Sequence, residues 1–520
     1  MLSTVSEKKL HAIRWVVFLA WALLIASLFY DPISAVLTDP KNDWSWLADN
    51  TIAIAHNSDK CISTQGYCIP LEPYAIGTRV FWGMVVPSAI FVVLVFGHEF
   101  WRRICPLYFF SQLPRALGLQ PLLNIERNLW LQQNHFYVQF ALFFIGLNGR
   151  ILLVNSARPI AGLFFIFTLL MAAIVVALYG GRSWCHYICP FGMVQTVFTG
   201  PRGLLDSQAH QAQPYSLTQS MCRTLDPQGQ SQSDCVSCKS SCMDIDAEQS
   251  YWDQLHKPGR RLVQYGYLGL VIGYFCYYAL YSGNFSYYFS GVWSHEPVTM
   301  KTLMGPGFYL FQEVIAIPKC IAAPLSLATF AAASGWICTR IERYYRGYLK
   351  QYQPGAAADS GLHRMFSICT FLAFNIFFIY GGRPEINNFP VAAQFGFQAS
   401  IAVLSSLWLY RTWGRSQAQY QKESMADRLR RQLKKLSVNE HSVNQLLATP
   451  DEAKTIEQLS VDELSILART LPNLSSSTVE APDDDELALP KTALPKTVMN
   501  RGQLTSSQKT TLPKTQLRKR

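Results

Sequence analysis

Eight apolar segments, each of about twenty residues, constrain this chain more than any other feature of its sequence. A helix of roughly 20 mostly apolar residues spans the hydrocarbon core of a bilayer. The segments lie at 13–33, 79–97, 136–154, 159–179, 263–282, 312–336, 365–381 and 389–409. Charged residues make up only 15% of the chain, whereas soluble domains carry about a quarter. We therefore predict an all-α polytopic membrane protein with about eight transmembrane helices, held in a lipid bilayer.

Basic residues are concentrated in alternate loops, and this bias predicts the orientation. Lys and Arg in short loops remain on the cytoplasmic side. The loops after the second, fourth and sixth segments are rich in arginine, whereas the loop 34–78 carries only Lys41 and Lys60. We expect both termini to be cytoplasmic, in the inner (plasma) membrane or another energy-transducing membrane. A basic inner face beside anionic lipid accounts for the net charge of +11, so no nucleic-acid partner is predicted.

The segments divide the chain into five predicted regions. They are 1–179 with transmembrane helices 1–4 and the outer loop 34–78, a cytoplasmic loop at 180–262, transmembrane helices 5–8 at 263–410, a cytoplasmic helical segment at 411–473, and a tail at 474–520. The tail consists of Ser, Thr, Pro and charged residues and contains three copies of LPKT. This composition cannot bury a core and predicts disorder. The repeated threonines indicate either a regulatory partner or a plain solvated tail.

Thirteen cysteines fall into three groups by predicted compartment. Thiols in a reducing cytoplasm tend to indicate metal binding or catalysis, and seven lie on that side: Cys105, Cys185, Cys189, Cys222, Cys235, Cys238 and Cys242. Cys61 and Cys68 lie on the outer side, where we predict a disulfide if that face is oxidising. The remaining four lie in apolar segments and are interpreted as small hydrophobic residues: Cys276, Cys320, Cys338 and Cys369.

The stretch "GGRSWCHYICPFGMVQ", residues 180–195, follows the fourth apolar segment. If the helix continues, Cys185 and Cys189 share one face and could bind a metal, and Pro190 ends the helix soon afterwards. Two packing cysteines at a helix end are the alternative. The spacing alone does not distinguish a metal-binding pair from a packing pair, so the neighbouring motifs are needed to decide.

One neighbour is an internal repeat. A shift of 84 residues places Cys105-Pro106 on Cys189-Pro190, Gly97 on Gly181, and Trp101 opposite Cys185. Since repeated units often meet in membrane proteins, Cys105, Cys185 and Cys189 are predicted as a second metal site. His98, about two helical turns before Cys105, could add a ligand, although a structural histidine is the simpler interpretation.

The other neighbour is a cysteine-rich run in the polar loop. Cys235, Cys238 and Cys242 follow the spacing Cys-x2-Cys-x3-Cys, and Cys222 precedes them by 13 residues. Four thiolates complete either an iron–sulfur cluster or a zinc site. The loop has few apolar residues, so metal binding would order it.

These motifs resemble a known family. "GRSWCHYICPFGMVQ" is similar to the CxxxCP element of the NapH/NosR/FixG-type membrane ferredoxins, polytopic 4Fe-4S proteins that pass electrons in respiratory or metal-handling pathways. "CVSCKSSCMDID" resembles the end of a ferredoxin motif, with Met243 in place of the usual Pro. The resemblance covers about residues 77–262. It implies a ferredoxin-like loop in which Cys222, Cys235, Cys238 and Cys242 hold one [4Fe-4S] cluster.

The predicted function is electron relay by a membrane-bound iron–sulfur protein. A quinol or a soluble carrier would supply electrons for a redox partner protein, and the chain would be a component of an electron-transfer oxidoreductase. His135 and His186 lie near the membrane face and could serve a quinone. One alternative is a metal-handling or redox-sensing membrane protein that uses the same cysteines, and another is a membrane anchor with a structural zinc loop. The sequence contains no HExxH, GxSxG or phosphate-loop motif, so no hydrolytic site is predicted.

Overall fold

The computed structural model describes most of the chain up to residue 435. The described residues are 7–39, 61–70, 74–123, 125–205, 223–225, 231–233, 239, 241–244, 246–294, 296–352, 359–387, 389–435, 460–462 and 464. The chain divides into two compact units, 1–428 and 429–520. The spans and the candidate site discussed below belong to the first unit. The predicted tail 474–520 lies outside the described residues.

Seven of the described helices are long and apolar enough to cross a membrane. They are Lys8–Phe29, Gly77–His98, Leu129–Val154, Arg158–Tyr179, Lys319–Tyr352, Ser360–Tyr380 and Val391–Trp413. They are called spans 1–4 and 6–8, in chain order. Their length and composition confirm the predicted all-α polytopic architecture.

The segment 262–282, called span 5, is helical but is not among these seven. It consists of the π-helix Leu262–Gly266 and the α-helix Tyr267–Ser282. Six tyrosines between residues 265 and 281 make it less apolar than the others. It begins beside Glu342, near the end of span 6, and ends beside Lys319, where span 6 starts. Span 5 therefore runs antiparallel to span 6, and its 21 residues reach about 30 Å, as far as a crossing helix requires.

Shorter elements connect the spans. The helix of span 1 begins one residue earlier, at Glu7, and the helix of span 2 continues to the end of Val86–Ile104. The other helices are Ser34–Leu37, Pro106–Ser111, Leu113–Ala116, Ile125–Arg127, Trp184–Ile188, Pro190–Thr199, Ala247–Gln254, Ser286–Phe289, Val292–Ser294, Met300–Met304, Arg383–Ile386 and Gln417–Lys435. The last of these falls in the predicted cytoplasmic helical segment.

Three two-stranded antiparallel sheets complete the described secondary structure. The pairs are Cys61–Thr64 with Tyr67–Pro70, Arg223–Leu225 with Ser231–Ser233, and Pro306–Leu310 with Glu313–Pro318. The third pair corrects the predicted start of the sixth segment at residue 312. Phe311 and Gln312 adopt positive φ angles of 54° and 67°, which suit a two-residue hairpin turn. The helix begins only at Lys319 and continues to Tyr352, beyond the predicted end at 336.

The ends of the spans define two sides of the molecule. On the opposite side from the CxxxCP motifs, the hairpin 61–70 contacts span 5 through Gln65, whose Nε2 donates to the carbonyl of Tyr281 at 3.0 Å. Phe109, which follows Cys105, contacts the His11 ring at 5.7 Å near the start of span 1. The start of span 1 therefore lies on the same side as Cys105-Pro106 and Cys189-Pro190, and this side is called the cysteine side below.

Span 5 lies at the centre of the hydrophobic core. Its tyrosine, leucine and phenylalanine side chains are almost all buried, and they pack with residues of spans 2, 6 and 7 and of the helix Pro190–Thr199. Gly269 allows span 6 to approach closely, because a Cβ at this position would lie 2.3 Å from the carbonyl of Phe330. This packing fixes the helix Pro190–Thr199, which carries the second CxxxCP motif at its start.

Candidate iron–sulfur site

The regions around Cys105-Pro106 and Cys189-Pro190 repeat one backbone path. Span 2 is interrupted at Gly97, with φ 75° and ψ −173°, and span 4 ends at Gly180, with φ 71° and ψ 179°. Both conformations are left-handed and therefore favour glycine. Cys105 and Cys189 are also equivalent, with φ, ψ of −60°, 120° and −52°, 120°. A proline then starts a new helix in each copy, at the position where its missing N–H is tolerated.

One extra residue distinguishes the two copies. From glycine to cysteine the first copy advances by 105 − 97 = 8 positions and the second by 189 − 180 = 9. The amide of Cys105 donates to the carbonyl of Trp101, four residues back, whereas that of Cys189 donates to Trp184, five residues back. A π-helix at Trp184–Ile188 thus absorbs the insertion, as single-turn π-bulges often do at functional sites.

This register corrects two sequence-based predictions. Gly97 corresponds to Gly180 rather than Gly181, and Trp101 corresponds to Trp184 rather than to Cys185. A fixed shift of 84 residues cannot represent an insertion, so it misaligned the residues that precede the insertion. The extra residue therefore lies between Trp184 and Cys189, in the π-helix that carries Cys185.

The repeat places Cys105, Cys185 and Cys189 close together, and their role as a second metal site stays a prediction. Cys185 and Cys189 are buried in one apolar cluster with Trp184, and Cys105 packs against that cluster. Burial, and then the neighbouring Cys185, raise the pKa of Cys105 to about 12. Burial, and then Cys185 and Cys105, also raise the pKa of Cys189. Two buried thiols and one half-buried thiol with raised pKa values fit a group that supplies positive charge, such as iron, because metals bind the thiolate.

The end of the cysteine loop reaches the same place. The Sγ atom of Cys242 lies 3.9 Å from Oδ2 of Asp244. The ligand atoms of His186, Cys242 and Asp244 all lie within 4.8 Å of one another. Asp244 also acts electrostatically on Cys185. Cys242 and Cys185 are therefore both neighbours of a single buried carboxylate.

Asp244 fastens the loop to both copies of the repeat. Nη1 of Arg102, from the first copy, lies 2.7 Å from Oδ1 of Asp244, and Nε of Arg182, from the second, lies 3.7 Å from Oδ2. Burial alone would raise the pKa of Asp244, but Arg102, Arg182 and His186 hold it well below its usual range. Burial lowers the pKa of His186 to about 3 despite the carboxylate, so the imidazole is neutral at neutral pH.

Further polar contacts hold Arg102 in position. Oε1 of Gln195 accepts a hydrogen bond from Nε of Arg102 at 3.1 Å and lies 3.0 Å from Nδ1 of His98. The His98 ring thus contacts Gln195, on the helix Pro190–Thr199, which agrees with its interpretation as a structural histidine. Sequence reasoning missed Gln195, Arg102, Arg182 and Asp244. The one available signal was the position of Asp244, two residues after the last cysteine of the loop.

A glycine lets the π-helix pack against the following helix. At Gly192 a Cβ would lie 2.6 Å from the carbonyl oxygen of Cys185 and 2.7 Å from Nε2 of Gln139. Gln139, on span 3, donates to the carbonyl of His186 at 3.4 Å. The backbone that carries Cys185 is therefore held between spans 3 and 4 and the helix Pro190–Thr199.

The four-cysteine site predicted in the loop is described only at Cys242. Cys222, Cys235 and Cys238 lie outside the described residues, so that ligand set stays a prediction. Lys239, between them and Cys242, is buried with its Nζ 5.5 Å from the ring centre of Tyr187. This contact places one further point of the loop beside the π-helix.

The remaining cysteines lie elsewhere. Cys68 is disulfide-bonded, and the strand register places Cys61 and Cys68 on one face of the hairpin 61–70. The side chain of Cys61 is not among the described ones, so their pairing stays a prediction. Cys276, Cys320, Cys338 and Cys369 are free thiols in spans 5–7. Cys338 and Cys369 approach to 3.9 Å between their sulfur atoms.

His135, which was considered for a quinone, lies in span 3 next to this region. Its Nδ1 is 3.0 Å from the carbonyl of Gln132, and its ring is 5.6 Å from that of Tyr187. It does not join His186 in the group around Asp244.

Residues 162–206 match the family described as a 4Fe-4S binding domain. The match contains most of span 4, Cys185 and Cys189, and the helix Pro190–Thr199, and it ends before the cysteine-rich part of the loop. It supports an iron–sulfur protein. No curated protein matches the chain, and no solved structure matches it.

Proposed function

We propose that this protein is a membrane-bound iron–sulfur protein that relays electrons between a quinol or soluble carrier and a redox partner. One observation carries the proposal. Cys105, Cys185 and Cys189, from the ends of two membrane-crossing helices, meet in one buried site that overlaps the matched 4Fe-4S segment. A cluster bound there would take up and release single electrons at the membrane boundary.

The fourth ligand that we propose is Cys242. It is the described cysteine that the loop brings beside this site, through Asp244. Four thiolates are the usual ligand set for a [4Fe-4S] cluster. The alternative ligand set is Cys222, Cys235, Cys238 and Cys242. Because both sets contain Cys242, two clusters can form only if one of them takes its fourth ligand from another residue.

Two buried arginines would tune such a centre. Arg102 and Arg182 are each less than 3% exposed and act electrostatically on Cys185. Positive charge beside thiolates stabilises the more negative, reduced state of a cluster, because buried charges interact with little screening. Asp244 offsets part of that charge and holds both arginines in place.

The test uses protein purified anaerobically from membranes. Iron, acid-labile sulfide and the EPR spectrum of the reduced protein are measured for the wild type and for Cys→Ser variants at Cys105, Cys185, Cys189 and Cys242. Cys276→Ser, a free cysteine in span 5, is the matched control. We expect about four iron atoms and four sulfides per chain, with the EPR signal lost in the four variants and retained in the control.

The loop variants separate the two ligand sets. If Ser at Cys222, Cys235 or Cys238 removes the signal while Ser at Cys105, Cys185 or Cys189 leaves it unchanged, the cluster belongs to the loop. If none of the seven variants changes iron and sulfide, the electron-relay proposal fails. Loss in both series would indicate two centres.

Electron donors are tested on the same preparation. Anaerobic addition of a water-soluble quinol should bleach the visible absorbance of the oxidised cluster within the mixing time of a stopped-flow experiment. Bleaching by a reduced soluble ferredoxin or flavodoxin, and not by the quinol, would instead identify a soluble donor. A cluster that neither donor reduces would exclude both donors.

A metal-handling or redox-sensing function is the second candidate, and one observation favours it. His186, Cys242 and Asp244 offer nitrogen, sulfur and oxygen ligands within 4.8 Å of one another, a mixed set that suits zinc or copper better than an iron–sulfur cluster. Stoichiometric zinc or copper without sulfide would support this function. Its loss in His186→Ala and Cys242→Ser, with retention in Cys105→Ser, would locate the metal there.

We also propose that the cysteine side faces the cytoplasm. The arginine-rich loops lie on this side of the spans, as the positive-inside rule requires. A membrane-impermeant maleimide should leave Cys242 unlabelled in intact cells and label it after permeabilisation and metal removal. Labelling in intact cells would reverse the orientation. A regulatory partner for the tail stays a prediction.

A further inference from the structure

The helix Gln417–Lys435, which follows span 8 on the cysteine side, contacts the end of the cysteine loop through Tyr420. This tyrosine is 5% exposed, and its hydroxyl donates to Oδ2 of Asp246 at 2.7 Å, although the two residues are 174 positions apart in the chain. A hydrogen bond to a carboxylate is stronger than one between neutral groups. The contact therefore joins the C-terminal part of the described chain to the loop that carries Cys242.

Asp246 connects this hydroxyl to the backbone of Cys242. Its Oδ1 accepts a hydrogen bond from the amide of Gln249 at 2.9 Å, which caps the start of the helix Ala247–Gln254. Its own amide donates to the carbonyl of Cys242 at 2.9 Å. One residue thus links the Tyr420 hydroxyl, a helix start and Cys242, so a shift of Asp246 displaces the cysteine.

The helix Ala247–Gln254 holds Cys242 from a second point. The hydroxyl of Ser241, the residue before Cys242, donates to Oδ2 of Asp253 near the end of this helix. The loop is therefore bound to the helix on both sides of Cys242, through Ser241 and through Asp246. The position of this helix consequently sets the position of the thiol.

A network of four charges fixes the same helix against Gln417–Lys435. The Glu248 carboxylate contacts Nε of Arg202 and lies 2.8 Å from Nη2 of Arg415. The Glu423 carboxylate lies 2.8 Å from Nη2 of Arg202 and 2.6 Å from Nη1 of Arg415. Each arginine thus binds both carboxylates. Networks of this kind stabilise a contact more than isolated surface pairs do.

We propose that Tyr420 is a positioning residue for the cluster ligand Cys242, and that the docked helix Gln417–Lys435 holds the end of the cysteine loop in place. The proposal rests on the proposed function, in which Cys242 binds iron. Both ligand sets considered above contain Cys242, so the inference holds for either of them. Hydrogen bonding and solvent exposure around the ligands set the potential of an iron–sulfur cluster, so release of this helix changes the potential.

Tyr420→Phe tests the contact, because it removes the hydroxyl and keeps the buried ring. Hydrogen–deuterium exchange with mass spectrometry is measured on the peptide from Cys242 to Gln254 in the purified protein. We expect exchange at least about threefold faster than in the wild type, because the loss of one hydrogen bond shifts a local opening equilibrium by about this factor. Tyr410→Phe, at a tyrosine of span 8 that is 82% exposed, is the matched control and should exchange like the wild type.

A second measurement separates positioning of the ligand from a merely structural role. The EPR spectrum and the midpoint potential of the cluster are determined for both variants. In Tyr420→Phe we expect iron to be retained, with changed g values and a shifted potential, whereas Tyr410→Phe keeps the wild-type values. A tyrosine that only stabilised the fold would lower the melting temperature and leave the spectrum and the potential unchanged.

Glu423→Gln tests whether the charge network acts through the same docked helix. It weakens the ion pairs but leaves the Tyr420 hydroxyl in place, so exchange of the peptide should again be faster. In the double variant with Tyr420→Phe, the increase should be smaller than the product of the two single increases, because coupled groups are not additive. An increase equal to that product would show that the network and the hydroxyl act separately, against the proposal.

Two further results would overturn the proposal. One is an unchanged exchange rate in Tyr420→Phe, and the other is faster exchange with the EPR spectrum and potential of the wild type. A wild-type protein without iron and sulfide would instead refute the proposed function. The exchange measurement does not depend on iron, so failure of the contact and failure of the proposed function are distinguished.

Discussion

Replacement of Gly192 by alanine tests the position of Cys185 directly. The added Cβ would lie 2.6 Å from the carbonyl oxygen of Cys185, whereas ordinary contacts begin at 3.4 Å. The backbone of the π-helix must therefore give way by up to 3.4 − 2.6 = 0.8 Å. Sites of this kind require their ligands within about 0.5 Å of the productive geometry, so we expect the thiol of Cys185 to be displaced from its partners.

The energetic cost follows from the packing. Overpacking of a well-packed region costs about 1–3 kcal/mol, and the loss of a helical glycine returns at most about 1 kcal/mol. Gly146, in span 3, is the matched control, because a Cβ there meets no atom within 4 Å. Gly146→Ala should be neutral or slightly stabilising, so Gly192→Ala should be less stable than the control by about 1–3 kcal/mol.

The assay compares three purified proteins. Thermal denaturation reports stability, and iron content with the EPR spectrum of the reduced protein reports the site. We expect Gly192→Ala to lower the melting temperature and to broaden or remove the EPR signal, while Gly146→Ala leaves both as in the wild type. If Gly192→Ala and Gly146→Ala behave alike in both measurements, the placement of Cys185 against Gly192 is wrong.

Three further predictions follow from other parts of the chain. Cys61 and Cys68 should form the disulfide of the hairpin 61–70, so mass spectrometry after alkylation without reductant should find both unmodified, and free alkylation of both would contradict it. Cys338 and Cys369, with sulfur atoms 3.9 Å apart, should be cross-linked by a mild oxidant such as diamide, and the failure of their peptides to link would show that the two helices hold the thiols apart. Glu342→Gln should destabilise the protein by about 1–3 kcal/mol, below the usual cost of a broken buried pair because its partners Arg261 and Arg346 are partly exposed. An unchanged melting temperature would contradict this prediction.

The membrane-crossing helices could be predicted because a single apolar segment of this length adopts a helix in lipid. Seven of the eight predicted segments coincide with helices that are long and apolar enough to cross a membrane. The error at residues 312–318 has a local cause. Val314, Ile315 and Ile317 read as apolar helix, but positive φ angles at Phe311 and Gln312 turn the chain into a hairpin first. Apolar composition alone does not distinguish these two outcomes.

The site was predictable in its residue types but not in its geometry. The repeated Ile-Cys-Pro indicated that Cys105 and Cys189 could meet, and they do. The shared carboxylate of Asp244 and its two arginines could not be foreseen, because they are separated by more than 60 residues along the chain.

The one-residue insertion explains how two copies of a single backbone motif supply three thiols. Each copy presents one cysteine before a proline, and Trp101 and Trp184 occupy matching positions. The π-helix adds one residue between Trp184 and Cys189, in the stretch that also carries Cys185. A four-thiol centre then needs only one more ligand, which must come from outside the repeat. Asp244 contacts an arginine from each copy and lies beside Cys242, which is why we propose Cys242 for that role. We therefore infer that the repeat, its insertion and the end of the loop act as one ligand set.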